Sequence, residues 1–260
     1  MTPQAPEPGD DPLGPSAVRR ELVATWALCI AGIGVAQLLS RVVALPILAG
    51  NLAGVAALLF IALPDRSLLR RRETWSDHGL PWWGWRDARS WQAWGKGVAI
   101  GLAVCALVFP PFFATFWAFG RLLPQLPAWG AHLLAPYGKP PEFHFRLPVR
   151  FPLLVVNQFL VVALPEEMFY RGWMQTRWAA TAPERRSRVL GATLGAGFLP
   201  THLLFALGHL VVFQVWRLAT FFPGLLFGWL RARTGNIAAS VVVHALSNVF
   251  IQILEASFYG

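Results

Sequence analysis

Charge is scarce in this chain. Asp, Glu, Lys and Arg together make up 13% of the 260 residues, where a soluble domain usually carries about 25%. With 55% hydrophobic residues and a mean hydropathy of +0.49, the apolar surface is too large for one water-facing globule. Cysteine is almost missing. Cys29 and Cys105 both lie in apolar runs, form no metal-ligand pattern and read as small core residues. Acid is also in deficit, which leaves a formal net charge of +9 and a pI near 10.9. The basic residues do not gather into one face, as a nucleic-acid surface would require. They stand at the ends of apolar stretches instead: Arg19-Arg20, Arg70-Arg71-Arg72, Arg185-Arg186 and Arg231. That pattern argues against a nucleic-acid partner and for a lipid bilayer with cytoplasmic basic anchors.

What the chain has in abundance is long apolar runs. Seven spans can be drawn, near 21–40, 43–63, 93–119, 151–178, 189–210, 213–231 and 237–258, each with about 20 residues to cross the hydrocarbon. They must be helices, because lipid offers no partner for backbone N–H and C=O groups. The expected fold class is all-α, a polytopic transmembrane bundle of about seven to eight spans. Residues 1–18, rich in Pro and acid, read as a disordered tail. Residues 19–150 form an N-terminal transmembrane region and 151–260 a catalytic core. Within the first region, 75–94 is crowded with Trp and reads as an interfacial anchor. Residues 120–150, with His132 and His144, are too Pro-rich for a continuous helix and read as a connector or a gate. Arg counts in the loops place the N-terminus in the cytoplasm.

Charged residues inside apolar helices are costly, so each needs a reason. The first cluster is Pro165-Glu166-Glu167-Met168-Phe169-Tyr170-Arg171. Glu167 and Arg171 are spaced i, i+4 with the carboxylate N-terminal, the better order for a pair. Glu166 lies about 100° round the helix and is out of that register. One carboxylate is tied and the other is available as a general base; a plain helix–helix ion pair is the bland alternative. The second cluster is Phe205-Ala206-Leu207-Gly208-His209, where a lone His in apolar surroundings is often only a hydrogen-bonded core residue. The third is His244-Ala245-Leu246-Ser247-Asn248. His244 and Asn248 share a helix face, and both can donate to a developing oxyanion or simply clamp two helices. Together the three clusters supply a water activator, its orienter and an oxyanion site, the parts amide hydrolysis needs.

These segments resemble the motifs of the CPBP family, which includes the CAAX prenyl proteases of the Rce1 type. The family pattern runs EExxxR, FxxxH, then HxxxN or HxxxD. Here it reads Glu166-Glu167 to Arg171, Phe205 to His209 and His244 to Asn248, in the same order. Gly172 and the stretch Arg233 to Asn236 extend the likeness, and His78-Gly79-Leu80 resembles the region ahead of the family core. The resemblance implies an intramembrane endopeptidase that cuts near the C-terminal end of a membrane-anchored or lipidated protein. Glu166 and His209 would activate water, His244 and Asn248 would hold the oxyanion, and Glu167 and Arg171 would brace the site. Known substrates of such proteins include prenylated C-termini and, in the myxosortase-like branch, bacterial sorting tails; a bacterial inner (plasma) membrane is the implied setting.

Three alternatives stay open at this point. Zinc, held by Glu166, His209 and His244, is the rival to a metal-free glutamate mechanism, since zinc takes three protein ligands plus water; there is no HExxH in the chain. A non-catalytic interaction or immunity protein can use the same scaffold. A proton-coupled transporter would use Glu166 and His209 as relay groups, although no inverted repeat is visible. One geometric difficulty accompanies the seven-span drawing. It puts Glu166 about 22 Å along the fourth helix and His209 near the end of the fifth. For the two to meet, the fourth span must start later, or the fifth must be tilted or begin outside the membrane.

Overall fold

The computed structural model describes residues 14–42, 51–80, 88–134, 137, 141–212 and 214–260. The first helix, α1 (Pro15–Val42), starts inside the segment assigned above to the tail. Proline suits a first helical turn, where its missing N–H costs nothing. Val18 and Leu22 then bury against the core, which draws residues 15–18 into the helix. The rest of the assigned tail, 1–13, lies outside the described residues, as do 43–50.

Helix α2 (Leu52–Arg71) ends at Arg72, which takes up a left-handed φ of 57° so that its N–H reaches the carbonyls of Leu68 and Leu69. Arg70 and Arg71 occupy its last turn, where cations face the negative end of the helix dipole. Helix α3 (Ala88–Leu122) carries Pro110 and Pro111 internally. It is followed by a 3-10 turn, Leu123–Gln125, and the short α4 (Ala128–Leu134). Of the Trp-rich stretch, 81–87 lie outside the described residues. Trp75 and Trp94 are described, and both pack against buried core clusters. The side chain of His132 likewise lies outside the described residues, whereas His144 sits in an extended segment whose backbone pairs with Ser257 and Phe258.

The fourth long helix, α5, runs through Phe151–Ala180. It is regular only in part. Stretches Gln158–Ala163 and Met168–Met174 are wound as π-helix, and they bracket a single α-turn, Leu164–Glu167. A π-turn takes an extra residue, rotates the side chains that follow and loosens the backbone ladder.

The two segments drawn as spans at 189–210 and 213–231 are not single long helices. A two-stranded antiparallel hairpin comes first, β1 (Arg186–Val189) and β2 (Ala192–Gly195). Leu190 and Gly191 turn it with φ of 47° and 77°, the geometry of a tight two-residue hairpin loop. Helix α6 (Phe198–Gly208) follows and runs into a 3-10 turn, His209–Val212. A second 3-10 turn, Val215–Thr220, leads into α7 (Phe221–Thr234), which stops at Gly235 in the left-handed region. Helix α8 (Ala238–Tyr259) completes the chain. Five helices are therefore long and apolar enough to cross a membrane among the described residues, with Phe198–Val212 as a shorter apolar helix.

Helix α8 is the hub. It packs on α3, α7 and the π-wound part of α5, while α1 pairs with α2. Residues 238–245 of α8 are all buried. Close approach of α3 is set by Gly101, where an added Cβ would lie 3.0 Å from Val242. Outward-facing Leu28, Leu58, Leu107, Leu153 and Leu160 are more than half exposed, as helices surrounded by hydrocarbon require. The molecule is an all-α polytopic bundle, with one small β-hairpin among the described residues.

Candidate active site

The single α-turn between the two π-stretches of α5 carries Glu166 and Glu167. Glu167 is fully buried. Its Oε1 accepts from Arg171 Nη1 at 2.9 Å and from His244 Nδ1 at 2.8 Å. Arg171 is equally buried. It also donates from Nη2 to the Gly224 carbonyl at 3.3 Å and lies 4.2 Å over the Phe205 ring and 5.2 Å from the Phe227 ring. A buried ion pair of this kind survives only with such extra partners, because desolvating both charges is expensive.

Glu166 faces a different way. Its side chain keeps 18% exposure, and its Oε2 stands 3.8 Å from His244 Nε2. That is longer than a hydrogen bond, and Oε2 has no hydrogen-bond partner among the described residues. His244 therefore lies between the two carboxylates, with Nδ1 on Glu167 and Nε2 toward Glu166. Its ring stacks on Phe227 at 4.9 Å and meets Phe205 edge-on at 6.0 Å.

His209 comes from the end of α6. Its Nδ1 donates to the Phe205 carbonyl at 2.8 Å, and its ring sits against the Phe205 ring at 4.6 Å. The FxxxH spacing thus has a local cause: one helical turn places the Phe205 carbonyl and ring under the imidazole, and with Nδ1–H donating, the neutral ring keeps Nε2 as an acceptor. The Phe205 ring meets both imidazoles, at 4.6 Å from His209 and 6.0 Å from His244. The length difficulty dissolves in the fold. The fourth helix does start at Phe151, but α6 begins only at Phe198, after the hairpin, and has 11 residues. At about 1.5 Å per residue this is too short to cross a bilayer, so His209 does not lie at the far end of a full span as the seven-span drawing required.

Asn248 stands one turn beyond His244. Its Nδ2 donates to Gln158 Oε1 at 3.0 Å, which uses one of the two amide hydrogens. The structure thus brings Glu166, Glu167, Arg171, His209 and His244 together and seats Asn248 beside them through Gln158.

Two polar residues near this cluster escaped the sequence reading. His202 is fully buried and donates from Nδ1 to the Phe198 carbonyl. Gln175 is buried and donates to the Gly228 carbonyl at 3.1 Å. Each is a polar residue in an apolar helix, the same cost that flagged Glu166, but neither belongs to a motif.

Zinc was the sequence-level rival. Among the described residues no group of three or more His, Cys, Asp or Glu is arranged to hold a metal ion. Glu166, His209 and His244 do not form such a group.

The comparisons with known proteins come to the same segment. Residues 148–250 match the family model described as type II CAAX prenyl endopeptidase Rce1-like. Neither curated proteins nor solved structures yield a match. The matched stretch holds α5 through most of α8, and with it every polar residue of the cluster. Over residues 148–250, therefore, the chain carries an Rce1-like domain, the kind found in the CPBP membrane proteases.

Proposed function

We propose that the chain hydrolyses a peptide bond near the C-terminal end of a membrane-anchored or lipidated protein, with water activated by Glu166. The observation that carries this reading is the division of labour between adjacent carboxylates. Glu167 is tied through Oε1 to Arg171 and His244, whereas Glu166 is half-buried with an unpartnered oxygen beside the His244 imidazole. A general base needs that combination of access and proximity to charge.

In the proposed reaction a water lies between Glu166 and the outward Nε2 of His209. Glu166 takes one proton as the oxygen attacks the scissile carbonyl carbon. The resulting oxyanion is met by His244 Nε2–H and by the second amide hydrogen of Asn248. The C–N bond then breaks, and the proton held by Glu166 passes to the leaving amine. One water is consumed, and a new carboxylate and a new amine result. Glu167 and Arg171 hold the His244 ring in place throughout. The N-terminus lies in the cytoplasm of a bacterial cell in this reading, because Arg19, Arg20 and the Arg70–Arg72 run mark one side.

The test is a comparison of membrane proteins from cells with wild type and with Glu166→Gln. A protein whose C-terminal segment persists only in the variant supports the reading and names the substrate. If the Glu166→Gln protein is present at normal level and every substrate is still trimmed, the glutamate mechanism is wrong. A phenotype that survives Glu166→Gln intact would favour the non-catalytic alternative.

A further inference from the structure

The turn of the β1–β2 hairpin carries an unexpected residue. Leu190 holds a left-handed φ of 47°, a position that tight hairpins fill with Asn, Asp or Gly because a longer side chain is strained there. It is also 84% exposed, and its neighbour Val189 is 42% exposed. Neither the local conformation nor contact with water accounts for a leucine at this tip.

The hairpin lies beside the last turns of α7. The Trp229 indole N–H donates to the Val189 carbonyl at 2.9 Å, and a Cβ on Gly191 would stand 3.1 Å from Arg233 Nε. At the open end of the hairpin, a Cβ on Gly195 would stand 2.7 Å from the Ala179 Cβ, in the last turn of α5. The tip is therefore level with Trp229 and Arg233, where the apolar run of α7 gives way to charge, the depth at which indole rings collect.

The same end of the bundle carries Arg19, Arg71 and Arg177, which hold Thr181, Glu21 and Glu73 respectively. The arginines around the hairpin differ. Arg186, Arg188 and Arg233 are exposed, and among the described residues none of them meets a carboxylate. Residues two apart on a strand share a face at about 7 Å spacing, so Arg186 and Arg188 project together. The exposed Thr193 stands opposite Arg188 in the ladder.

An apolar tip flanked by unpaired arginines, at the edge of a transmembrane bundle, complements one surface in both respects. Acyl chains cover the tip, and anionic phosphate meets the guanidiniums, whose fork takes phosphate oxygens in pairs. Helix α6 gives the anchor a purpose. Two residues separate it from β2, and with 11 residues it cannot fix its own depth by spanning. It turns Leu199 and Leu203 outward, continuous with the lipid-facing surface.

We propose that the β1–β2 hairpin is an anionic-phospholipid site, with Val189 and Leu190 in the acyl layer and Arg186, Arg188 and Arg233 on the headgroup phosphate. It holds the start of α6 at the membrane surface. The proposal is independent of the protease reading.

The test uses the full-length protein with an NBD dye on Leu190→Cys, in liposomes of phosphatidylcholine with added phosphatidylglycerol. Cys29 and Cys105 are buried, so the new thiol takes the dye, and wild type is the labelling control. A nitroxide high on the lipid acyl chain should quench the dye more strongly than a water-soluble nitroxide; the reverse order puts the tip in water and overturns the proposal. A second measurement reads the headgroup. In detergent, phosphatidylglycerol should raise the melting temperature of unlabelled wild type by several degrees more than phosphatidylcholine does, as a bound ligand must. Each of Arg186→Gln, Arg188→Gln and Arg233→Gln should raise the half-saturating phosphatidylglycerol concentration about fivefold and leave the melting temperature in phosphatidylcholine unchanged. Leu190→Asn, which suits the left-handed turn, should melt no lower than wild type in phosphatidylcholine and gain less from phosphatidylglycerol. Equal responses to the two lipids, a triple arginine variant that still responds as wild type does, or the full effect from inorganic phosphate alone overturns the headgroup assignment.

Discussion

At the residue scale, the Glu167–Arg171 pair carries the clearest energetic consequence. Both side chains are fully buried, and Glu167 answers two donors through one oxygen. Removing one partner strands the other charge in the interior, at a cost of about 3–5 kcal/mol. Arg171→Met should therefore lower stability by that amount in a denaturant titration of the detergent-solubilised protein. Adding Glu167→Gln to Arg171→Met should recover much of the loss, since no unpaired charge then remains. An Arg171→Met protein as stable as wild type would show that Glu167 does not need this partner. The i, i+4 spacing made the contact between these two legible in the sequence. The second partner of Glu167 was not legible, because His244 lies 77 positions away and no local spacing reports a meeting of two helices.

At the element scale, two features brace α5 and the elements around it. The first is the loop after α2. His78 hydrogen-bonds through Nδ1 to the Gly172 carbonyl at 3.2 Å and through Nε2 to Glu73 at 2.9 Å, and Arg177 of α5 pairs with the same Glu73. Gly172 lies in the second π-stretch, and a Cβ there would come 3.1 Å from the His78 carbonyl oxygen. Burial pushes the Glu73 carboxyl up, but the His78 hydrogen bond and the Arg177 charge outweigh it and hold the group below its ordinary value. A depressed folded-state pKa contributes stability that is present above the unfolded value and is lost as pH falls through the folded one. The melting temperature should therefore drop on acidification through and below the usual carboxylate range, and Glu73→Gln should flatten that drop. A wild-type acid limb identical to that of Glu73→Gln would contradict the assignment. The second feature is the seat of α7 on α6. A Cβ on Gly228 would stand 2.1 Å from His202 Nε2 and 2.8 Å from Gln175 Oε1. Gly228→Ala should lower the melting temperature by several degrees, at roughly 1–3 kcal/mol for overpacking, and His202→Ala in the same chain should restore part of it. No effect from Gly228→Ala would mean that the two helices can separate freely there.

The long helices were readable because hydrophobic length is a strong signal, and α3, α5 and α8 fall close to the expected ranges. The region 189–231 was not. Apolar composition cannot distinguish a helix that crosses the bilayer from one that enters partway and stops, and Leu190 gives no hint of a turn residue. The π-stretches of α5 were equally hidden, since nothing in the residue pattern marks an extra residue per turn.

At the scale of the whole molecule, the proposed water-using site lies inside an apolar bundle. Among the described residues, five long helices present exposed Leu side chains outward, while the short α6 and the 3-10 turn after it carry Phe205 and His209 to the polar cluster. The site is assembled from α5, α6 and α8, elements far apart in the chain, so it forms only when the bundle closes. Glu166→Gln should keep that assembly intact, because the substitution removes no hydrogen bond, only a carboxylate 3.8 Å from His244. The most direct measurement is cleavage of a lipidated C-terminal peptide in liposomes made up in 18O-labelled water, read by mass spectrometry. The account predicts one 18O in the new carboxylate with wild type and no product with Glu166→Gln of unchanged melting temperature. Labelled product formed at the wild-type rate by Glu166→Gln would contradict it.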